Sequence, residues 1–211
     1  MKLFSMIFLI LLGVGVSLAA NSPKPSPASE IQALQQRVTQ LENQVQEMNH
    51  LLEPLRKQQQ IQQRRDTLRT KFEEKIAIDR KKYKDTELRE AETLYQVANK
   101  NWKSPEAKKS LEEMIQKYPD INRTGCAVLY LAQSSEGDEK VKYLQMAIDK
   151  FNDCYYGDGV QVGAYARYLL GWHYQNTGNT TQANTLFYEL KTQFPNSVDH
   201  SGNFLMDKIP R

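Results

Sequence analysis

Ile31, Leu34, Val38, Leu41, Val45, Met48, Leu52 and Leu55 succeed one another in steps of three and four residues, with polar positions, many of them glutamine, between them. An apolar stripe at this spacing is a heptad repeat, and it predicts a helix whose seam is buried by another helix. Ile31, Val38, Val45 and Leu52 take the a positions, and Leu34, Leu41, Met48 and Leu55 the d positions. β-Branched residues at a with Leu at d favour a parallel dimer, although a short mixed seam also makes trimers. Residues 31–55 therefore read as an oligomerising coiled coil. In a parallel pair Arg37 at g would face Glu42 at the following e, an exposed contact contributing about 0.2–1 kcal/mol. A single amphipathic helix folded back on the rest of the chain is the alternative. Pro54 lacks an amide hydrogen and crowds the preceding turn, so a break or kink is expected there, with the seam fading beyond it.

The pattern over residues 85–211 is different, with short amphipathic helices in pairs. Ala164 to Ser197 reads as a helix, a Gly178-Asn179 turn, a second helix and a Phe194-Pro195 stop. Small Gly171 and Ala183 allow two antiparallel helices to approach closely, while Leu170, Tyr174 and Phe187 fill the space beside them. One such hairpin cannot bury its own apolar face. Two upstream segments supply neighbours, because LEEMIQKYPD (111–120), LQMAIDKFND (144–153) and FYELKTQFPN (187–196) share an ending. Their last aromatics, Tyr118, Phe151 and Phe194, are 33 and 43 residues apart, and the excess lies in NDCYYGDGVQVG between the helices. Ala91, Leu94, Ala98, Ala107, Leu111 and Pro119 keep the pattern well in the first repeat, whereas Leu129, Leu144 and Ala147 keep it only loosely in the second.

Leu170, Gly171, Tyr174, Gly178, Ala183, Phe187 and Pro195 fall at the spacing of the packing residues in a tetratricopeptide (TPR) unit of about 34 residues, and the segment resembles one. The resemblance implies an all-α protein, with a coiled-coil helix followed by a TPR-type α-solenoid of about three helical hairpins. It also implies a protein-binding face lined by the first helix of each hairpin. Carried onto this chain, that face holds Tyr165, Tyr168, Trp172, Gln175 and Asn176 in the last repeat and Arg89, Glu92, Gln96 and Asn99 in the first, with Tyr130 as the candidate in the second. Tyr and Trp on a rigid helix are the side chains that most often dominate a protein contact. Alternatively, Tyr168 and Trp172 cover the inserted loop or the C-terminal stretch around Phe204, Leu205 and Met206.

At the N-terminus, Lys2 precedes an apolar run from Leu3 to Leu18 that ends in Ser17-Leu18-Ala19. This suits a signal peptide over residues 1–19, cleaved after Ala19, with an uncleaved anchor as the alternative. Export to a bacterial periplasm follows, with membrane contact only if the segment stays in place. The Pro- and Ser-rich residues 20–30 form an extended linker.

The net charge of +3 is segregated along the chain. Residues 56–84 form a basic helical stem, and residues 55–84 carry eleven Lys or Arg against four Asp or Glu, while residues 85–211 are mildly acidic. Leu68, Phe72, Ile76 and Tyr83 recur at helical spacing, the stripe expected to dock the stem on the first repeat. A basic helix can also meet anionic lipid or an acidic polymer. Nucleic acid is excluded as a partner, since no aromatic interleaving or reading motif accompanies the lysines.

Cys126 and Cys154 fall at the two ends of the second hairpin, which are neighbours in an antiparallel pair. An oxidising compartment permits a disulfide between them, and two unpaired thiols are the alternative. His50, His173 and His200 are scattered, and no HExxH, CxxC, GxSxG or phosphate-binding loop is present. Asp153, Cys154 and Asp158 lack a ligand spacing for a cation, and Tyr155-Tyr156-Gly157-Asp158-Gly159 reads as a flexible turn with two aromatics available for packing or contact. No enzyme activity, metal or cofactor is expected.

In its order of signal peptide, heptad coiled coil, linker and C-terminal TPR repeats, the chain resembles the YbgF type of periplasmic cell-division coordinator of the Tol-Pal system. That resemblance implies a homo-oligomer, commonly trimeric, whose TPR domain binds envelope proteins such as TolA. The basic stem, the inserted loop, the two cysteines and the loose second repeat depart from it. A binder of envelope polymers or anionic lipid through the stem, or a subunit of an outer-membrane assembly or export machine, are the alternative functions.

Overall fold

The computed structural model describes residues 26–210. The expected signal peptide, and all of the linker before Ser26, lie outside the described residues. Among the described residues there are seven α-helices, one short 3-10 helix and no strand beyond two isolated bridges. The chain divides between Glu53 and Pro54 into two units.

The first unit holds the N-terminal part of α1 (Pro27–Lys82). Its heptad side chains are all exposed, from 43 % at Leu52 to 64 % at Leu34. Two details differ from the sequence reading. The helix already begins at Pro27, a position suited to proline because the first helical amide hydrogen has no partner in any helix. At the other end Pro54 does not break it, since α1 is assigned without interruption to Lys82. Only one backbone hydrogen bond is forfeited at Pro54, and strong helix formers, Leu51–Glu53 and Leu55–Lys57, flank it with no glycine among them.

The second unit is an α-solenoid of three helical hairpins, α2–α3 (Asp85–Lys100, Pro105–Lys117), α4–α5 (Asn122–Ser134, Gly137–Lys150) and α6–α7 (Val162–Asn176, Thr180–Gln193). Within each hairpin the two helices pack together, and each second helix packs on the first helix of the following hairpin. The helices α2, α4 and α6 are neighbours in that order and share one face. Starts are marked chemically: the Ser104 hydroxyl accepts the Ala107 N–H at 3.1 Å before α3, and the Glu87 carboxylate accepts the Lys84 N–H at 2.7 Å before α2. Gly178 turns the last hairpin at φ +83°, the left-handed region open to glycine. At Gly171 a Cβ would lie 2.5 Å from the Phe187 ring, so glycine there sets how closely α6 and α7 approach.

The weak pattern of the second repeat has a physical cause. From Thr124 to Leu129, and again at Leu131 and Ala132, α4 is buried all round, between α2, α3, α5 and α6. A helix packed on every side has no polar face, and its apolar periodicity disappears. The inserted stretch is a closed, hydrogen-bonded turn instead of a loose one. Tyr156 N–H donates to Val160 O (2.8 Å), and Tyr155 and Val160 are buried. The Asn122 side-chain amide holds the Tyr155 backbone at both ends, its NH2 donating to the Tyr155 carbonyl at 2.8 Å and its oxygen accepting the Tyr155 N–H at 2.7 Å.

Beyond Pro54, α1 does not dock on the first repeat alone. Ile61 lies against Gly202, Leu68 against Gly159 and Phe72 against Gly157, while Tyr83 meets Tyr118 edge-on at 6.2 Å. Lys75 pairs with Asp153 and Lys82 with Asp120. Arg64 and Arg65 donate to the carbonyls of Gly202 (3.1 Å) and His200 (2.7 Å). The stem thus runs along the edge where successive hairpins are joined, and several of its basic groups are engaged with acidic or carbonyl groups there.

The expected disulfide is not formed. Cys126 and Cys154 are both buried free thiols. The Cys126 Sγ points to the Tyr155 carbonyl at 3.6 Å, and Cys154 is seated against Gly125, where a Cβ would come within 2.8 Å of its sulfur.

Candidate partner-binding face

The face shared by α2, α4 and α6 is built as one continuous set of contacts. On α2, Glu92, Gln96 and Asn99 stand one or two turns apart, so they line up along the helix. Arg123 at the start of α4 donates through Nε to Glu92 (2.8 Å), and Gln96 donates to the other oxygen of the same carboxylate. Asn99 donates to Gln96 (2.8 Å) and accepts from the Tyr130 hydroxyl (3.0 Å). The Arg123 guanidinium also lies 4.5 Å from the centre of the buried Tyr95 ring.

Aromatic rings continue the face. Tyr95 and Tyr130 meet edge-on at 5.4 Å, Tyr156 meets His200 at 5.0 Å, and His200 meets Tyr165 at 5.4 Å. Tyr165 then stacks on Tyr168 at 5.8 Å. Between α2 and α4 the surface opens a pocket of about 430 Å³, walled by Tyr95, Tyr130 and Tyr156 and rimmed by Asn99, Arg123, Gln133 and His200. His200 is held by Asp158, Nδ1 to Oδ2 at 2.7 Å.

These contacts fix the charge states at neutral pH. Burial lifts the phenols of Tyr95, Tyr156 and Tyr165 above their usual range, so they stay protonated. Burial pulls Arg123 down, but its acidic surroundings, Glu92 among them, outweigh this and hold it above its ordinary value. Burial likewise raises Asp158, but the hydrogen bond and charge of His200 together with backbone hydrogen bonds outweigh it, so the carboxylate lies below its usual range.

Of the residues expected on this face, Asn99 and Tyr130 line the pocket, Glu92 and Gln96 join it through Arg123 and Asn99, and Tyr165 and Tyr168 continue the face beyond it. Trp172 is elsewhere: its ring packs on Phe187 at 5.5 Å and its indole nitrogen is buried without a partner. Leu205 and Ile209 belong to the same apolar layer, against which Trp172 is partly buried. Tyr168 also borders it. Arg89 and Asn176 are exposed and take no part in the hydrogen-bonded chain, and Gln175 lies at the end of α6, its carbonyl accepting the Gly178 N–H at 3.4 Å. Sequence reasoning missed Arg123, Tyr156, Gln133 and His200. Arg123 stands two turns before Tyr130 on α4, a spacing that points to it; Tyr156 was visible only as an aromatic of the inserted turn, with nothing to place it on this face, and the C-terminal segment gave His200 no signal. Among the described residues no group of three or more His, Cys, Asp or Glu could hold a metal ion, and no helix is long and apolar enough to cross a membrane.

No curated protein and no solved structure matches the chain. Residues 165–197, the last hairpin, match the family model of a tetratricopeptide repeat, which supports reading the helical array as a TPR-type protein-interaction module.

Proposed function

We propose that this protein is a non-enzymatic interaction scaffold of the bacterial cell envelope, exported to the periplasm, where the face of α2, α4 and α6 binds partner proteins. The observation that carries this reading is the aromatic and hydrogen-bonded surface from Tyr130 through Tyr156 and Tyr165 to Tyr168. Such rigid tyrosines are the residues that concentrate binding energy at interfaces. Residues 31–55 join copies into a dimer or trimer, because a heptad seam exposed along its whole length in a single chain is satisfied by a second copy of itself. Multiplying the array in this way raises the effective concentration of weak single contacts. The likeness to YbgF-type coordinators makes a TolA-like envelope protein the first partner to test, with a role in envelope constriction.

The test is affinity capture from solubilised bacterial envelopes with the chain and with its Tyr130→Ala/Tyr168→Ala variant. A protein retained by the first and lost by the folded variant supports the reading. Capture unaffected by the variant but abolished by salt overturns it in favour of the basic stem, since exposed charge contacts are screened and aromatic ones are not.

A further inference from the structure

We infer that residues 61–83 of α1 act as a splint, coupling into one cooperative unit three hairpins that would otherwise open one at a time. In a solenoid each repeat touches only its neighbours, so stability is a sum of local contributions and an end hairpin opens alone. The helices of the array pack in that way, each on the next along the chain. The stem does not. Its contact residues recur every three or four positions from Ile61 to Tyr83, along one side of the helix, and they meet three joints in turn. At the joint after α7, Arg64 donates to the Gly202 carbonyl and lies 3.2 Å from the centre of the Phe204 ring, while Arg65 donates to the His200 carbonyl. At the joint between α5 and α6, Leu68 and Phe72 lie on Gly159 and Gly157, and Lys75 pairs with Asp153. At the joint between α3 and α4, Asp79 accepts the Asn122 N–H and Lys82 pairs with Asp120. The three stations are centred near residues 63, 72 and 81, so each step of about nine residues advances about 13 Å along a rod that does not stretch.

The joints are shaped for this approach. Gly159 and Gly202 adopt φ +90° and +81°, and a Cβ on them would lie 2.7 Å from Leu68 and 2.6 Å from Ile61 respectively. Glycine is required there twice over, by the backbone and by the stem. Covering apolar surface does not account for the contacts. Among residues 61–83 Asp79 alone is fully buried, and its partner is a backbone amide. The apolar side chains of the stripe are only half-buried, so no single station is strong, and the constraint lies in one stiff helix holding all three. The joint between α5 and α6 is the one lengthened by the inserted turn, where hairpins on a longer link have the most freedom to shift, and Leu68 and Phe72 pin it. The joint after α7 carries His200, which lines the pocket of the candidate face, so the splint also holds part of that face in place.

The experiment is native-state hydrogen exchange of the full chain, read by mass spectrometry and repeated with Arg64→Ala/Arg65→Ala/Phe72→Ala. The slowest amides of α2 and α3 report the first hairpin, and those of α6 and α7 the last. In the native chain both sets are expected to exchange through one common opening, with protection factors agreeing within about threefold. In the variant the protection of the last hairpin should fall at least about tenfold below that of the first, because the last hairpin is then held by its neighbour alone. Should the triple variant not fold by circular dichroism, Arg64→Ala/Arg65→Ala decides the matter, since neither arginine belongs to the apolar core. A native chain whose last hairpin already exchanges independently of the first would overturn the inference, because the hairpins would be uncoupled with the stem in place. Equal loss of protection in both hairpins of the variant would overturn it too, leaving the stem as a packing element that adds stability without coupling. So would a variant that exchanges like the native chain.

Discussion

The carboxylate of Asp79, near the C-terminal end of α1, accepts the backbone N–H of Asn122, the first residue of α4, at 2.9 Å. The first amides of a helix have no partner within it, so Asp79 acts as a cap delivered from a distant element. Asp79→Ala leaves that buried N–H without an acceptor and is expected to cost about 1–3 kcal/mol, measured as a fall in urea midpoint. Asp79→Asn keeps an acceptor. Burial raises the Asp79 pKa, with the hydrogen bond and Lys75 and Lys82 only partly opposing it. A folded pKa above the unfolded one means that the favourable contribution is present in acid and lost as pH rises through the folded value. The stability of Asp79→Asn relative to the native chain should therefore improve as pH rises above the ordinary aspartate value of about 3.9. A relative stability of Asp79→Asn that stays constant or falls as pH rises would contradict the burial of this charge.

Close approach of α6 and α7 depends on Gly171. Its missing Cβ is replaced by the edge of Phe187, the ring that also supports Trp172. Gly171→Ala forces the ring aside in a packed core and is expected to destabilise by about 1–3 kcal/mol. Trp172 fluorescence should shift at the same time, because its neighbour moves. At Gly178 the space is open and only the backbone resists, so Gly178→Ala should cost about 1–2 kcal/mol with an unchanged emission spectrum.

The parts of this fold legible in the sequence are those governed by periodicity. The seam from Ile31 to Leu55 announces its helix because each of its apolar residues lies on one side, and the last hairpin announces itself through Gly171, Ala183 and Phe187. The face was half legible: Glu92, Gln96, Asn99 and Tyr130 follow from helical spacing once the hairpins are aligned. Trp172 packs on Phe187 outside the hydrogen-bonded chain, because helical spacing does not register the apolar layer that Leu205 and Ile209 complete from beyond the repeat. The stem's docking was hidden for a similar reason. Its partners Asp120, Asp153 and Gly202 sit in three separate joints whose alignment exists only after the hairpins stack.

The exposed seam predicts self-association. Sedimentation of the chain lacking residues 1–19 should show a dimer or trimer, and Leu41→Asp/Val45→Asp should shift it to monomer, since two charges per copy would be buried without partners. The thermal unfolding of residues 54–211 should be nearly unchanged in that variant, because neither position contributes to the core of the array. A monomeric native chain at micromolar concentration would leave the single amphipathic helix as the reading of residues 31–55.

The two thiols and the phenols beneath the face lead to a prediction for alkaline solution. Burial pushes Cys154 up to about 12 and raises Cys126 in the same direction, and it also lifts Tyr95 and Tyr156. In each case the fold disfavours the charged form, so the folded pKa lies above the unfolded one. The contribution of these groups is complete below the ordinary thiol and phenol ranges, about 8.5 and 10, and is lost as pH rises toward the folded values. The urea midpoint should accordingly hold to about pH 8.5 and fall steadily above it, and Cys126→Ala/Cys154→Ala should flatten the early part of that fall. Since the thiolate is the reactive species, both cysteines should react slowly with a thiol reagent in the native protein. Unfolding in denaturant without reductant should release two reactive thiols per chain. Finding none would mean that Cys126 turns away from the Tyr155 carbonyl and Cys154 away from Gly125 to form a bond, and the early alkaline loss would then vanish with the thiols.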